Sequence, residues 1–186
     1  MLENICKVLD FGTSQEKIKI LESLDNTNDL EIIEKIISKL GDEDIQVRGE
    51  AFSALMLNEN KITEILIQNL NSHSKYIRGF SALVLANRND SNAISEIIKL
   101  TDDESSMVRS CALGALGHLK AKQAKKVIES HLTDSNIEVI KSALQAAIDI
   151  EDSLTENKLK EIPKDNDPEL ERLLVHVKRK NGPEGI

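Results

Sequence analysis

The chain has 186 residues, of which 40% are hydrophobic but only 2% aromatic, so aliphatic side chains must form its core. Its 8 Gly and 3 Pro are few for the many turns of a β-sandwich or β-barrel, which favours an all-α fold. The formal net charge of −8 disfavours extensive contact with nucleic acid or an anionic membrane, because each phosphate contact needs a Lys or Arg.

The start of the chain shows no recognisable targeting signal. Residues 2–7 lack the basic and apolar regions of a secretory signal peptide, and no apolar run approaches the ~18 residues of a membrane span. The two cysteines, Cys6 and Cys111, lie far apart and in no metal-type spacing, which favours a reducing compartment over a disulfide framework. We therefore expect one cytoplasmic domain, 1–186, that needs no cofactor and no metal.

Two kinds of helix are predicted to alternate along the chain. The first kind is short and aliphatic, with apolar residues every three or four positions. These first helices are predicted around Ile33–Leu40, Ile62–Leu70, Ile94–Ile98 and Val127–Leu132. The second kind is richer in small residues, which allow close approach of a neighbouring helix. These second helices lie within Asp42–Leu55, Ser72–Leu85, Asp103–Leu116 and Asp134–Ala147. The Asp residues are placed just before them, where a carboxylate can cap free N–H groups.

The four second helices are copies of one motif. In the first three copies an Arg lies six residues after the opening Asp or Ser, and a small residue follows three positions later in all four. The Arg position is occupied by Arg48, Arg78, Arg109 and, in the fourth copy, Ile140, at intervals of 30, 31 and 31 residues. The small residues are Ala51, Ser81, Ala112 and Ala143. Weaker copies occur at Lys17 and around Leu170–Leu174. Clear repeats thus cover about residues 14–149, with degenerate capping repeats at 1–13 and 150–180 and a short tail at 181–186.

This motif, an Asp followed by Val-Arg and then by Ala-Leu on the second helix of a pair of about 31 residues, resembles the HEAT-repeat family. The short period is most similar to the class named for phycobilisome lyases. The resemblance implies a right-handed α-α superhelix, a solenoid of about six helix pairs in which stacked pairs share a continuous core. It implies a fold more than an activity, because function depends on a site and not on the scaffold.

The resemblance also implies a structural ladder, since the family's Asp and Arg typically link neighbouring repeats. Its members here are Asp42, Arg48, Arg78, Asp103, Arg109 and Asp134. Ser72 in place of Asp and Ile140 in place of Arg predict interruptions at those two repeats. An alternative is that the Arg residues form an anion-binding stripe, but their recurrence with an Asp at a fixed offset favours structural pairing.

The second helices line the concave face in this family, which makes the positions two and five after the Arg a candidate partner-binding site. The residues at these positions are Glu50 and Ser53, Phe80 and Leu83, Cys111 and Gly114, and Ser142 and Gln145. A notch of Phe80, Leu83 and Cys111 beside Gly114 would seat an apolar side chain of a protein partner. The alternative is that these side chains only pack between adjacent second helices.

Other candidate chemistry carries less weight. The four histidines lack the i, i+4 pairing of metal ligands; they are His73, His118, His131 and His176. The densest basic run has no aromatic residues for base stacking, so a solvated face is favoured over a nucleic-acid site; it consists of Lys120, Lys122, Lys125 and Lys126. Cys111 is expected to be a small core residue and not a nucleophile or a bilin-attaching thiol, because no His or carboxylate is placed to activate it.

The sequence therefore predicts a non-catalytic scaffold or adaptor that is monomeric alone. It would bind a protein or peptide through its concave face, and the partner would be basic, to suit the net charge, or would carry an apolar anchor, to suit the notch. One alternative is a lyase-like or chaperone-like subunit that handles a prosthetic group. A second is a nucleic-acid-binding HEAT-like protein, which the negative charge disfavours.

Overall fold

The computed structural model describes residues 2–181, and all regular structure in this range is helical. Within this range twelve α-helices follow one another as six successive pairs, which confirms the predicted all-α fold of about six helix pairs. The chain separates into two compact units, Met1–Glu96 and Ile97–Ile186. The single domain 1–186 stays a prediction, and residues 182–186 of the predicted tail lie outside the described range.

The first unit contains three helix pairs around an aliphatic core. The pairs are α1 (Leu2–Phe11) with α2 (Ser14–Leu21), α3 (Leu30–Lys39) with α4 (Ile45–Leu57), and α5 (Thr63–Asn69) with α6 (Lys75–Asn87). A 3₁₀ turn at Ser91–Ala93 leads into α7 (Ile94–Lys99), which crosses the boundary between the units. Leu9, Leu21, Ile36 and Leu55, from four different helices, are fully buried in this core. Apolar residues at helical spacing on each element therefore meet in one cluster.

The second unit continues the same pattern. Its helices are α8 (Ser106–His118), α9 (Lys125–Ser130), α10 (Ile137–Asp149), α11 (Glu156–Glu161) and α12 (Pro168–Asn181). The short 3₁₀ turns are Leu100–Asp102, Lys122–Ala124 and His131–Thr133. Val108, Leu113, Ile128, Val139 and Leu144 form the centre of its core. Among the described residues, no helix combines the length and the apolar character that crossing a membrane requires.

Each second helix begins two residues later than the Asp placement suggests. Asp44 caps α4 by accepting a hydrogen bond from the N–H of Gln46 at 2.8 Å, while the predicted cap, Asp42, accepts from the N–H of Asp44 at 3.0 Å. Asp134 likewise accepts from the N–H of Asn136, the cap of α10. The Asp residues thus stabilise the turn that precedes the helix, because a side-chain carboxylate can accept from the backbone two residues on.

Three second helices end in the same left-handed turn. The residues with positive φ are Asn89 (57°), Lys120 (52°) and Glu151 (60°), which follow α6, α8 and α10. In each case the next N–H donates to the carbonyl five residues back, as in the 3.0 Å bond from Ala121 to Leu116. This Schellman arrangement satisfies carbonyl groups that the helix end would otherwise leave unpaired.

Small residues bring α8 and α10 into close contact. Ala112 and Ala143, two of the repeated small positions, are fully buried. A Cβ atom placed on Gly117 would lie 2.9 Å from the Cα of Ala146, closer than real Cβ contacts occur. Gly117 is therefore required by the packing of α8 on α10, in agreement with the role expected of small residues on the second helices.

Candidate functional site

An open apolar groove lies between α4 and α6 in the first unit. Its volume is about 290 Å³. The residues that line it are Ile45, Arg48, Gly49, Phe52, Phe80 and Leu83. Ile45, at the start of α4, is 72% exposed, and Phe52, Phe80 and Leu83 are half-buried. A Cβ atom on Gly49 would meet no atom within 4 Å, so the missing side chain leaves open space in the wall of the groove.

The groove contains two of the four partner-binding candidates in the first unit and excludes the other two. Phe80 and Leu83 line it, whereas Glu50 and Ser53 on α4 are half-buried and do not. The two helices offer opposite flanks to the space between them, so α4 contributes the positions one and four after its Arg, and α6 the positions two and five. The sequence does carry a signal for the α4 wall, because Ile45, Gly49 and Phe52 have i, i+4, i+7 spacing.

The remaining candidate residues belong to the second unit. Cys111 is half-buried, while Gly114 and Gln145 are exposed. The Gln145 side-chain amide donates to Asp149 Oδ1 at 3.0 Å, one turn further along α10. Because Phe80 and Leu83 lie in the first unit, the combined notch with Cys111 and Gly114 stays a prediction.

The environment of Cys111 disfavours thiolate chemistry. Burial raises the pKa of its thiol to about 11, since the charged form loses hydration. The thiolate is the nucleophilic form, so this thiol is almost entirely protonated and weakly reactive at neutral pH.

At the Arg48 end of the groove, the ring of Tyr76 lies beside the lining residues Arg48 and Phe80, with Lys75 next to the ring. Tyr76 stacks on Phe80 with ring centroids 6.3 Å apart and planes inclined by 15°. The Arg48 guanidinium carbon is 4.8 Å from the centroid of the Tyr76 ring, and the Lys75 Nζ is 5.3 Å from it. Both distances are within the range of a cation–π interaction, so the ring holds two positive charges at this end.

The repeated Arg residues bind the turn that precedes their own helix. Arg48 Nη1 donates to the carbonyl oxygens of Asp42 at 2.7 Å and Glu43 at 3.0 Å. Arg78 and Arg109 make the same pair of bonds, to residues six and five positions back. The motif therefore fixes each of these three second helices to its N-terminal turn, a contact within one repeat and not the predicted link between neighbouring repeats.

Within residues 2–181, ion pairs at the ladder positions or next to them link neighbouring repeats at three places. Arg109 donates two hydrogen bonds of 2.9 Å to Asp134, and Lys17 donates one of 2.8 Å to Asp42. At the predicted interruption at Ile140, the next residue, Lys141, reaches Asp167 at 3.4 Å. Arg78 and Asp103 lie in different units, so their pairing stays a prediction.

Arg48 differs from these residues. Ser72 stands at the position that Asp42 and Asp134 hold in their repeats, and within residues 2–181 no carboxylate forms an ion pair with Arg48. Its Nε is buried and has no hydrogen-bond partner. The ladder therefore lacks its acidic member at the repeat that forms the groove.

Acidic neighbours pair with two of the four lysines of the basic run. Lys125 forms an ion pair with Asp152, and Lys122 lies 3.6 Å from Glu151. Lys120 holds the left-handed turn after α8. This arrangement fits a solvated surface better than a continuous phosphate-binding patch.

Among the described residues, His131 is the only buried histidine, and its ring contacts backbone carbonyl groups. His131 Nε2 lies 2.8 Å from the carbonyl oxygen of Thr101, and its Nδ1 lies 2.8 Å from that of Val127. The ring thus links α9 to the turn before α8. Across residues 2–181, no group of three or more His, Cys, Asp or Glu side chains is arranged to hold a metal ion.

Comparison with known proteins gives one family and several solved structures. Residues 63–149 match the model for HEAT repeats. A chain from the complex of CpcE and CpcF of phycocyanin lyase from Nostoc sp. PCC7120 has a TM-score of 0.68 at 18% identity, over 81% of this chain and 99% of that chain. An engineered protein has a TM-score of 0.62 at 18% identity, over 99% of both chains.

A designed armadillo repeat protein in complex with the peptide (KR)4 has a TM-score of 0.56 at 17% identity, over 96% of this chain and 98% of that chain. No curated protein sequence matches the chain. At such identities the structural likeness shows the fold alone, which is that of an α-α repeat solenoid.

Proposed function

We propose that this HEAT-repeat protein, whose family motif matches residues 63–149, binds a protein partner by accepting an apolar side chain of that partner in the groove between α4 and α6. The repeat fold supports a protein-interaction role in general, because stacked helix pairs present an extended surface for a ligand. The general role does not say which surface binds. That the groove is the binding site, and that it lies on a concave face, is what we propose.

The observation that carries the proposal is the groove itself. It is apolar along Ile45, Phe52, Phe80 and Leu83, and it is open to solvent. Removing apolar surface from water contributes roughly 25 cal/mol per Å², so an inserted side chain would stabilise a complex. The lining also resembles the centre of protein interfaces, where aromatic residues and Arg are enriched and other charges are scarce.

The comparisons support a protein ligand in two ways. CpcE forms a complex with CpcF, and a designed armadillo repeat protein binds a peptide. Proteins with this fold therefore bind other chains. We extend that property, and not the particular ligands, to this chain.

We further propose that the chain acts without catalysis of its own and is a monomer in the absence of its partner. The protonated thiol of Cys111 weighs against the alternative in which a prosthetic group is attached or transferred through that residue. Co-purification of a chromophore with the protein would instead favour the lyase-like alternative.

A random peptide library displayed on phage tests the groove with a defined probe. Peptides enriched on the wild-type protein are synthesised, and their Kd values are measured for the wild type, Ile45→Ser and Leu30→Ser. The two variants are closely matched, because each replaces the first residue of a helix that follows an Asp cap, and the side chains are 72% and 65% exposed. Only Ile45 lines the groove.

We expect Ile45→Ser to weaken binding of the enriched peptides about tenfold, because an apolar contact worth about 1.4 kcal/mol is lost. Leu30→Ser should leave the Kd unchanged. Equal Kd values for all three proteins, or an equal loss in both variants, would contradict the proposal.

A further inference from the structure

We infer that the bound segment carries a carboxylate next to its apolar anchor and that Arg48 binds this carboxylate at the end of the groove. The inference rests on the proposed function of the groove. It names the chemistry of the partner, which is a peptide segment with an Asp or Glu beside an aliphatic or aromatic residue.

Cations at the corresponding places in other repeats bind a carboxylate of the next repeat. Lys17 binds Asp42 at 2.8 Å in the first unit, and Arg109 binds Asp134 through two hydrogen bonds of 2.9 Å in the second. In both pairs the carboxylate also accepts a hydrogen bond from the backbone two residues on. A carboxylate from the next repeat is thus the normal ligand of this cation.

The corresponding carboxylate is missing for Arg48. Ser72 occupies its place and makes the same turn, because its Oγ accepts from the N–H of Ser74 at 3.3 Å. The backbone of the turn is therefore retained while its negative charge is absent. Nη1 of Arg48 is bound to carbonyl oxygens, and its buried Nε has no partner. A buried guanidinium donor without an acceptor is unfavourable, and an incoming carboxylate would supply one.

The side chain that lacks an acceptor, Arg48, lies at the groove. Arg48 is one of the groove's lining residues, and its guanidinium faces Tyr76, which stacks on Phe80. Lys75 approaches the same ring and adds a second positive charge. The carboxylate of Asp42, in the turn that Arg48 clamps, is already bound to Lys17. An anion of the partner therefore meets cations at this end of the groove and apolar side chains along the rest.

The local charge decides against the basic partner that the net charge of −8 suggests for this site. Long-range attraction raises association rates, but a charged hydrogen bond at short distance depends on the groups in contact. A guanidinium also binds a carboxylate in a planar, two-bond geometry, as Arg109 does with Asp134. We assign a carboxylate and not a phosphate, because a carboxylate is what fills this place in the sister repeats.

The variant Ser72→Asp tests the inference without disturbing the fold. It introduces the residue that the motif carries in other copies, and the new side chain can accept the same hydrogen bond from Ser74. The introduced carboxylate should occupy Arg48 and compete with the partner. Ser91→Asp is the control, because it places the same charge at an exposed position at the start of another helical segment of the first unit.

The probes are the library peptides whose binding depends on Ile45, each synthesised with its Asp or Glu, with the matching Asn or Gln, and with phosphoserine at that place. We expect the acidic peptides to bind the wild type about tenfold more tightly than the amide versions. Ser72→Asp should remove that difference, and Ser91→Asp should retain it. Thermal unfolding of both variants should show Tm values no lower than that of the wild type.

The outcomes separate the two proposals. Peptides that depend on Ile45 but bind equally well as acid and amide would overturn the carboxylate assignment and leave the groove proposal intact. A preference for phosphoserine with no preference for Glu over Gln would also overturn it. If no enriched peptide depends on Ile45, the proposed function of the groove fails first.

Discussion

At the scale of single residues, Asp134 shows how one carboxylate serves two structural tasks. It accepts two hydrogen bonds from Arg109, which links neighbouring repeats, and one from the N–H of Asn136, which shapes the turn before α10. Burial opposes ionisation of Asp134, but these hydrogen bonds and the nearby guanidinium outweigh it, so its pKa lies below the ordinary value. The ionised form therefore contributes to stability.

The substitution Asp134→Asn should destabilise the protein at neutral pH by on the order of 2 kcal/mol, because the charged bonds to Arg109 are lost. The folded pKa is lowered, so this contribution is complete above the unfolded pKa of about 4 and is lost as pH falls through the folded value. Urea unfolding of wild type and variant at pH 7 and pH 3 measures the difference, which should shrink at the lower pH.

Asp165→Asn is the control for this experiment, because Asp165 is exposed and should change the unfolding free energy little. A deficit of Asp134→Asn that stays constant from pH 7 to pH 3 would show that its charge is not what stabilises the fold.

Asn58 and Arg88 form a second network, which the repeat motif does not contain. Asn58 is buried and donates to the carbonyl of Thr27 at 2.7 Å, and Arg88 donates to the carbonyl oxygens of Asn58 and Asn60. These bonds satisfy backbone carbonyl groups in the loop before α3 and in the loop after α4. They could not be predicted from the aligned segments, because both residues lie beyond the ends of those segments.

At the scale of helices, the distance between α8 and α10 depends on the absence of one side chain. Gly117 faces the backbone of Ala146, whereas Gly114, one turn earlier on the same helix, has no atom within 4 Å of where its Cβ would be. The two glycines of this helix thus have different physical roles. Gly117 permits close packing, whereas Gly114 only lowers the helix propensity.

We expect Gly117→Ala to destabilise the protein by roughly 1–3 kcal/mol, because α8 and α10 must separate to admit the methyl group. Gly114→Ala should stabilise it by up to ~1 kcal/mol, because Ala is the better helix former. Chemical denaturation followed by circular dichroism would measure both. If the two variants changed stability in the same direction, the packing argument for Gly117 would be wrong.

At the scale of the whole molecule, stability should be unevenly distributed along the chain. In a repeat fold each helix pair depends on its immediate neighbours. The helices α8 and α10 bury six residues each, whereas α11 buries none. The free energy of local opening should therefore be much smaller at α11 than in the preceding repeats.

Hydrogen exchange followed by mass spectrometry tests this distribution. Peptides that cover α11 should exchange at least about 100-fold faster than those that cover α8 and α10, because a difference of ~3 kcal/mol in opening free energy corresponds to that ratio. Peptides from α4 and α6 provide an internal reference in the first unit. Protection of α11 equal to that of α10 would refute the expected gradient.

Much of the fold and part of the site could be predicted from the chain alone. The helices and their aliphatic faces follow from residues three or four positions apart on one helix, and the repeat interval follows from the recurrence of one motif every 30 or 31 residues. Neither relation depends on tertiary contacts. Phe80 and Leu83 were chosen by their offset from Arg78 and by the concave face that the family resemblance implies; they line the groove, and their role in binding stays a prediction. The anion-binding interpretation of the Arg residues and the structural one were both open, and the structure shows that each Arg first binds carbonyl groups of its own repeat.

Other features depended on which surfaces face each other in three dimensions. The α4 wall of the groove was assigned to Glu50 and Ser53 because one offset was applied to every helix, whereas the flank that faces the groove differs on its two sides. Lys141 bridges the gap left by Ile140 because a long side chain one position away reaches Asp167.

The all-α repeat follows from the order of amino acids alone, since helix formation and apolar periodicity are local properties of the chain. Ser72 in place of Asp already predicted an interrupted ladder, but the position of the unpaired Arg48 beside an apolar groove became visible only in the folded protein, because it depends on residues that distant parts of the chain bring together.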